Sequence, residues 1–242
     1  MKGKKREYET RKGRQSFRDS MTKDEELSRS MSWALRHAAP SLGLSIGSDG
    51  YVAVNELLSC NHPRFNGKSY TMEDVKRVVE HNEKKRFELV EEGKNNCPMI
   101  RACQGHSIQH ISSEELLTPI LQDELKCMDR IIHGTTKQAW EIIRREGLKR
   151  MGRNHIHFAT ALPGEEQNNS TFISGIRVKR EIDIYLDVKK CAAHAVQFYR
   201  SKNEVILCAG VNEEGVLPFQ YVSKVIEVQS GNIIFQNEES SS

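Results

Sequence analysis

Apolar residues in the first third of the chain recur at helical spacing. Leu27, Met31, Ala34, Leu35 and Ala38 follow a Thr22/Glu25 capping box and run until Pro40, which predicts an amphipathic helix. Arg36 falls about half a turn from Leu27, and His37 sits at the border of the apolar stripe, so both are expected to face outward. A Ser48-Asp49-Gly50 turn precedes the alternating Tyr51-Val52-Ala53-Val54, which runs into Asn55-Glu56-Leu57-Leu58. A second capping box, Thr71 with Asp74, opens a helix with Val75, Val78 and Val79 inward. Phe87-Glu88-Leu89-Val90, the Glu92-Gly93-Lys94-Asn95-Asn96 turn and Met99-Ile100-Arg101-Ala102 then read as a β-hairpin. Helices followed by a hairpin suggest a winged-helix lobe over residues 22–110.

Residues 111–129 turn polar and acidic and read as a linker. A second lobe spans 130–230. In it Ile131-Ile132 leads into His133-Gly134-Thr135, and an amphipathic helix with Ala139, Trp140 and Ile143 ends at Gly147. Strands are expected at 156–159, 182–188, 205–208 and 225–228, so this half is β-rich and the fold class is α+β. Gln167-Asn168-Asn169-Ser170 reads as a polar loop placed to close over a ligand. Residues 231–242 read as a polar tail, and residues 1–21 as a disordered basic arm.

Over 242 residues, 36 Lys+Arg against 33 Asp+Glu leave a formal charge of +3, which by itself does not imply nucleic-acid binding. No apolar run approaches the roughly 18 to 20 residues of a membrane span, and no signal peptide follows the basic start. Six cysteines without a close pair read as reduced thiols. The expectation is a soluble, monomeric, intracellular protein of cytoplasm or nucleus. His155 and His157 alternate as on one strand face, but no nearby Cys or carboxylate pair completes a ligand set, so no metal is expected.

The cationic residues Arg36, His37, Arg101 and Arg177 lie in distant segments. Brought together, they form a phosphate pocket, because guanidinium groups are planar, permanently charged donors. Left apart, they are charges on solvated faces. The chain has neither GxGxxG nor GxxxxGK[ST], so a bound nucleotide is held some other way. His133-Gly134-Thr135 offers backbone donors and a hydroxyl, although alone it also fits a satisfied turn.

In order, Leu35-Arg36-His37, Asp49-Gly50-Tyr51-Val52, Lys84-Lys85-Arg86-Phe87, Arg101-Ala102 with Gln104-Gly105-His106-Ser107, His133-Gly134-Thr135, His155-Ile156-His157-Phe158, Ser174-Gly175-Ile176-Arg177 and Phe198-Tyr199-Arg200-Ser201 resemble the NAD-dependent RNA 2′-phosphotransferase family over roughly residues 24–228. The resemblance implies a winged-helix RNA lobe followed by an ADP-ribosyltransferase-like lobe that binds NAD as co-substrate. It further implies transfer of the splice-junction 2′-phosphate of ligated tRNA to NAD. The products are 2′-hydroxyl RNA, nicotinamide and ADP-ribose 1″,2″-cyclic phosphate, reached through an ADP-ribosylated RNA phosphate.

By matching motifs, Arg36, His37, Arg101 and Arg177 fall on the catalytic tetrad, and His133, Gly134 and Thr135 on the NAD segment, with His157, Ser174 and Gly175 added to it. The chain departs from the pattern at Ala38, Cys103, Ala161 and Cys208-Ala209-Gly210, none of them a proposed catalytic side chain. Two rivals remain: an ADP-ribosyltransferase acting on terminal phosphates of nucleic acid, and a noncatalytic winged-helix nucleic-acid binder.

Overall fold

A computed structural model describes residues 21–93, 96–165 and 173–237. The basic arm up to residue 20, the centre of the hairpin turn, the polar loop at 166–172 and the last five residues lie outside the described residues.

Helix α1 (Lys23–Trp33) starts on Thr22, whose hydroxyl accepts from Glu25 N at 3.2 Å while the Glu25 carboxylate accepts from Thr22 N at 3.0 Å. It buries Leu27 and Met31 but does not continue as an α-helix to Pro40. Ala34–Ala38 forms a π-helical turn, closed by Ala39 N–H donating to Ala34 O at 2.8 Å. Such a turn inserts one residue and rotates everything after it. Arg36 is thereby half-buried rather than turned outward, while His37 is exposed.

The short strand β1 (Val52–Ala53) leads into α2 (Val54–Ser59), and α3 (Met72–Glu80) opens on the Thr71/Asp74 box. Strands β2 (Phe87–Val90) and β3 (Met99–Ala102) form the hairpin, and the antiparallel sheet runs β1-β3-β2. One core joins α1, α3 and this sheet through Leu27, Met31, Leu35, Val75, Phe87 and Ile100.

The stretch expected to be a linker is folded. It holds α4 (Ser113–Leu116), β4 (Thr118–Ile120) and α5 (Gln122–Lys126), and it buries Leu116, Leu117, Ile120 and Leu125 while its acidic residues stay outside. Next come β5 (Ile132–Thr135), α6 (Lys137–Glu146) between the Thr136 cap and Gly147, β6 (Leu148–Lys149), β7 (Ile156–Phe158) and β8 (Ile182–Leu186). They are followed by α7 (Val188–Ala193), β9 (Phe198–Arg200), β10 (Ile206–Cys208), β11 (Val216–Leu217), β12 (Val222–Glu227) and β13 (Ile233–Gln236).

Two four-stranded antiparallel sheets result, β4-β9-β10-β7 and β13-β12-β8-β5, tied by a bridge between Ile132 and Ala159. Edge strand β13 comes from the stretch read as a polar tail, because Ile233 and Phe235 find a ladder on β12. The class is α+β with antiparallel sheets. No helix among the described residues is long and apolar enough to cross a membrane.

The third strand of the first sheet, β10, fuses the two halves. Ile206 and Cys208 point into the second core, whereas Val205 and Leu207, of opposite parity, belong to the first. A strand buried on both faces must be apolar at every position.

Candidate active site

The seam between the lobes is stitched by hydrogen bonds among these motifs. The Lys84 carbonyl accepts from Ser174 Oγ at 3.2 Å and from Asn203 Nδ2 at 2.8 Å. Asn154 N donates to His106 O at 2.8 Å, and His157 Nε2 lies 2.8 Å from Gln104 Oε1. Segments 84–86, 104–107, 153–157 and 174–177 therefore converge. Beside them opens a groove of about 750 Å³ whose lining includes Trp33, Arg36, His37, Lys84, Arg86 and Val178.

Arg36 is the focus. Its Nε and Nη2 are buried without a hydrogen-bond partner among the described residues. Gly105, at φ +90°, lets the chain press against the guanidinium; a Cβ there would lie 3.4 Å from Nε. Burial first, then the charges of Arg86 and Arg153, holds the Arg36 pKa down to about 10. A buried charge with orphaned donors calls for an anion.

Two other guanidinium groups, Arg86 and Arg153, share its surroundings, and Arg177 lies next to Arg153. Arg86 is oriented by Asn82, whose Oδ1 accepts from Arg86 N at 3.1 Å and Nη1 at 3.2 Å, and burial lowers its pKa. Arg153 makes a long 3.5 Å contact with His157 Nδ1, and burial followed by the charge of Arg177 lowers its pKa. Arg177 is exposed and lies close enough to oppose protonation of His133. His37 hangs beside this cluster with Nδ1 2.9 Å from Ser107 Oγ, and burial, Arg36 and Arg153 lower its pKa in that order. Positive charges that crowd one another in this way store repulsion that a bound polyanion relieves.

Arg101, expected in the tetrad, is directed elsewhere. Ile100 and Ala102 of β3 face the core, so Arg101 takes the opposite face, directly across from Glu88 on β2. Its Nε and Nη2 contact Glu88 Oε2 at 2.9 and 2.8 Å, and Nη1 donates to Asp49 O at 2.9 Å and Glu115 O at 3.3 Å. The guanidinium also lies 4.5 Å from the Tyr51 ring centroid. Glu88 is shared across the seam with Lys202. In this arrangement the Arg101 guanidinium is engaged by Glu88 and two carbonyls, and Arg86 stands beside Arg36.

The residues expected to hold NAD divide into two groups. His133 donates Nδ1–H to His157 O at 2.9 Å, since a carbonyl only accepts, which leaves Nε2 a free lone pair. Burial holds this ring in the neutral form. His157 is likewise kept neutral, its pKa pushed down to about 3 by burial and then Arg153, with its nitrogens on Gln104 and Arg153.

Gly134 and Gly175 serve close packing instead. A Cβ on Gly134 would lie 2.6 Å from Ile176 Cγ1, and one on Gly175, at φ +83°, 2.3 Å from Phe158 O. Ser174 bonds the seam at Lys84, and the Thr135 carbonyl accepts from Glu181 N at 2.9 Å. His155, read with His157 as a potential metal pair, bonds Ser113 Oγ at 2.9 Å.

Arg86, Arg153, Lys84 and Ser107 were not singled out by sequence reasoning, although each lies within or beside a quoted motif. The hairpin limits of 87–90 and 99–102 do set Glu88 opposite Arg101, an opposite-charge pair legible in the sequence that ties the Arg101 guanidinium to the hairpin.

Comparison with known proteins shows the family. The family model described as RNA 2′-phosphotransferase, Tpt1 / KptA family, matches residues 22–210. The chain is 40% identical over 214 residues to tRNA 2′-phosphotransferase 1 of Danio rerio, covering 88% of this chain and 90% of that protein. It is 39% identical over 207 residues to tRNA 2′-phosphotransferase 1 of Homo sapiens, covering 86% and 77%. It is 33% identical over 207 residues to tRNA 2′-phosphotransferase of Saccharomyces cerevisiae, covering 84% of each.

Proposed function

Because this chain belongs to the RNA 2′-phosphotransferase, Tpt1 / KptA family, we propose that it removes the splice-junction 2′-phosphate of ligated tRNA by transferring it to NAD, at the groove lined by Arg36, His37, Lys84 and Arg86. The observation that carries this reading is the buried Arg36 guanidinium, whose Nε and Nη2 have no partner among the described residues, beside Arg86 and Arg153, with Arg177 next to Arg153. In this reading the first lobe is a winged-helix RNA module and the second is ADP-ribosyltransferase-like.

The residues fit NAD. His133 presents a neutral acceptor nitrogen suited to a ribose hydroxyl, and the guanidinium groups nearby suit phosphate oxygens. NAD, when bound, supplies the carbon that receives the phosphate and the hydroxyl that then carries it away from the RNA.

A phosphate monoester dianion is already a nucleophile, so the protein must place it rather than deprotonate it. Arg36, Arg86 and Arg177 hold its oxygens without taking a proton, and Arg153 reinforces their field from behind. His37 is the general acid for the departing RNA 2′-oxygen. In the free protein Arg36 and Arg153 disfavour its imidazolium; an arriving dianion reverses that balance, so proton and phosphate are taken up together. Arg101 keeps the hairpin, the Gly50 turn and α4 in place and touches no reacting atom.

The free thiols of Cys60, Cys103, Cys191 and Cys208 support an intracellular setting. The test is incubation with a 2′-phosphorylated oligoribonucleotide and NAD, with products identified by mass spectrometry. Expected are 2′-hydroxyl RNA, nicotinamide and ADP-ribose 1″,2″-cyclic phosphate in equal amounts. Intact RNA phosphate after complete mixing with NAD refutes the proposal.

A further inference from the structure

Gln104-Gly105-His106-Ser107 does more than line the seam. Ser107 contacts the catalytic segment twice: its N–H donates to the Arg36 carbonyl at 2.9 Å, and its Oγ lies 2.9 Å from His37 Nδ1. The first bond satisfies a carbonyl of the π-helical turn. The second reaches a ring that is otherwise exposed; among the described residues no other side chain bonds the His37 imidazole. We infer that Ser107 is a positioning residue for His37, its hydroxyl fixing the ring so that Nε2 faces the groove in both protonation states.

This inference rests on the assignment of His37 as general acid. A hydroxyl suits the task because it both donates and accepts. With imidazolium it accepts from Nδ1–H; with the neutral ring it bonds Nδ1 in either sense, so Nε2 can lose its proton without the ring turning over. The χ2 torsion of histidine is broad and roughly two-fold, so an unanchored ring spends time with its nitrogens exchanged for carbons.

The charges facing His37 are Arg36 on its own turn, Arg153 from the turn before β7, and Lys84 and Arg86 across the groove, with His106 next to Ser107 held neutral by burial. Asp24 and Glu25 line the far end of the groove on α1. Ser107 is thus the acceptor that favours imidazolium among near neighbours that oppose it.

Ser107→Ala keeps the backbone bond to Arg36, so the hydroxyl can be tested alone. The ring is followed by nitrogen-detected NMR titration of the substrate-free protein. Single turnover on 2′-phosphorylated RNA with NAD is followed by nicotinamide release and by phosphate removal across pH. In Ser107→Ala the His37 titration is expected to move to lower pH. Phosphate removal should slow roughly 10-fold at neutral pH, more than nicotinamide release, with the gap closing in acid. Ser107→Thr should restore both.

An unchanged His37 titration in Ser107→Ala overturns the inference, as does equal slowing of both steps at every pH. If the wild-type protein removes no 2′-phosphate, the functional reading fails, while the NMR titration still decides whether Ser107 anchors the ring.

Discussion

Replacing Arg86 or Arg101 by alanine should produce opposite phenotypes, although the two arginines flank one hairpin. Arg101 and Glu88 side chains are each only 14% exposed. Removing Arg101 leaves Glu88 with Lys202 and Tyr51 and strips donors from the Asp49 and Glu115 carbonyls. Breaking a buried pair costs about 3 to 5 kcal/mol when the remaining charge is stranded. Lys202 offsets part of that here, so a loss of about 3 kcal/mol is expected, or a Tm lower by about 6 to 12 °C in a chain of this size.

The Arg86 side chain, in contrast, bonds only Asn82 among the described residues and opposes the charge of Arg36, so Arg86→Ala should leave Tm nearly unchanged and relieve Arg36. It removes a preorganised charge from the phosphate oxygens, which is worth about 100-fold to 1,000-fold in turnover. Thermal unfolding and single-turnover removal of a 2′-phosphate measure both effects on the same samples. An active Arg86→Ala together with an inactive Arg101→Ala of normal Tm refutes the assignment and restores Arg101 to the tetrad.

Titrating inorganic phosphate into the substrate-free protein should raise the His37 pKa, because the anion counters the burial, Arg36 and Arg153 that lower it; an imidazole NMR titration that stays put would place no anion beside it. His133→Ala should raise KM for NAD about 2-fold to 10-fold, the worth of one neutral hydrogen bond, and leave RNA affinity unchanged in a binding assay. Gly175→Ala should destabilise by about 1 to 3 kcal/mol in chemical denaturation, since it forces a Cβ to 2.3 Å from Phe158 O at φ +83°. Leu207→Ala should cost about 2 to 5 kcal/mol and loosen the first lobe as well as the second, visible as amide exchange in both; protection lost in the second lobe alone would contradict the shared-core role of β10.

Local chemistry was readable where it is closed within a few residues. The Thr22/Glu25 and Thr71/Asp74 boxes, the hairpin of β2 and β3, and α6 between Thr136 and Gly147 each follow from side chains within reach of their own backbone. The stretch 111–129 misled because Glu114, Glu115, Asp123 and Glu124 dominate its composition, while the buried Leu116, Leu117, Ile120 and Leu125 decide its place. Likewise Ile233 and Phe235 carry no strand signal stronger than their polar neighbours until β12 offers them a ladder. The π-helical turn at Ala34–Ala38 has an ordinary helical composition, and its extra residue is held by a contact from Ser107, 71 positions after Arg36.

By itself the sequence determined the periodicities, the caps, the order of motifs and the family, because these depend on residue identity and short spacing. Which cations share a groove was decided only by tertiary structure. Arg86 and Arg153 oppose the charge of Arg36, and Arg177 that of Arg153; with no local reason to meet, they are brought together by the packing of remote segments against both faces of β10. The same packing turned Arg101 toward Glu88.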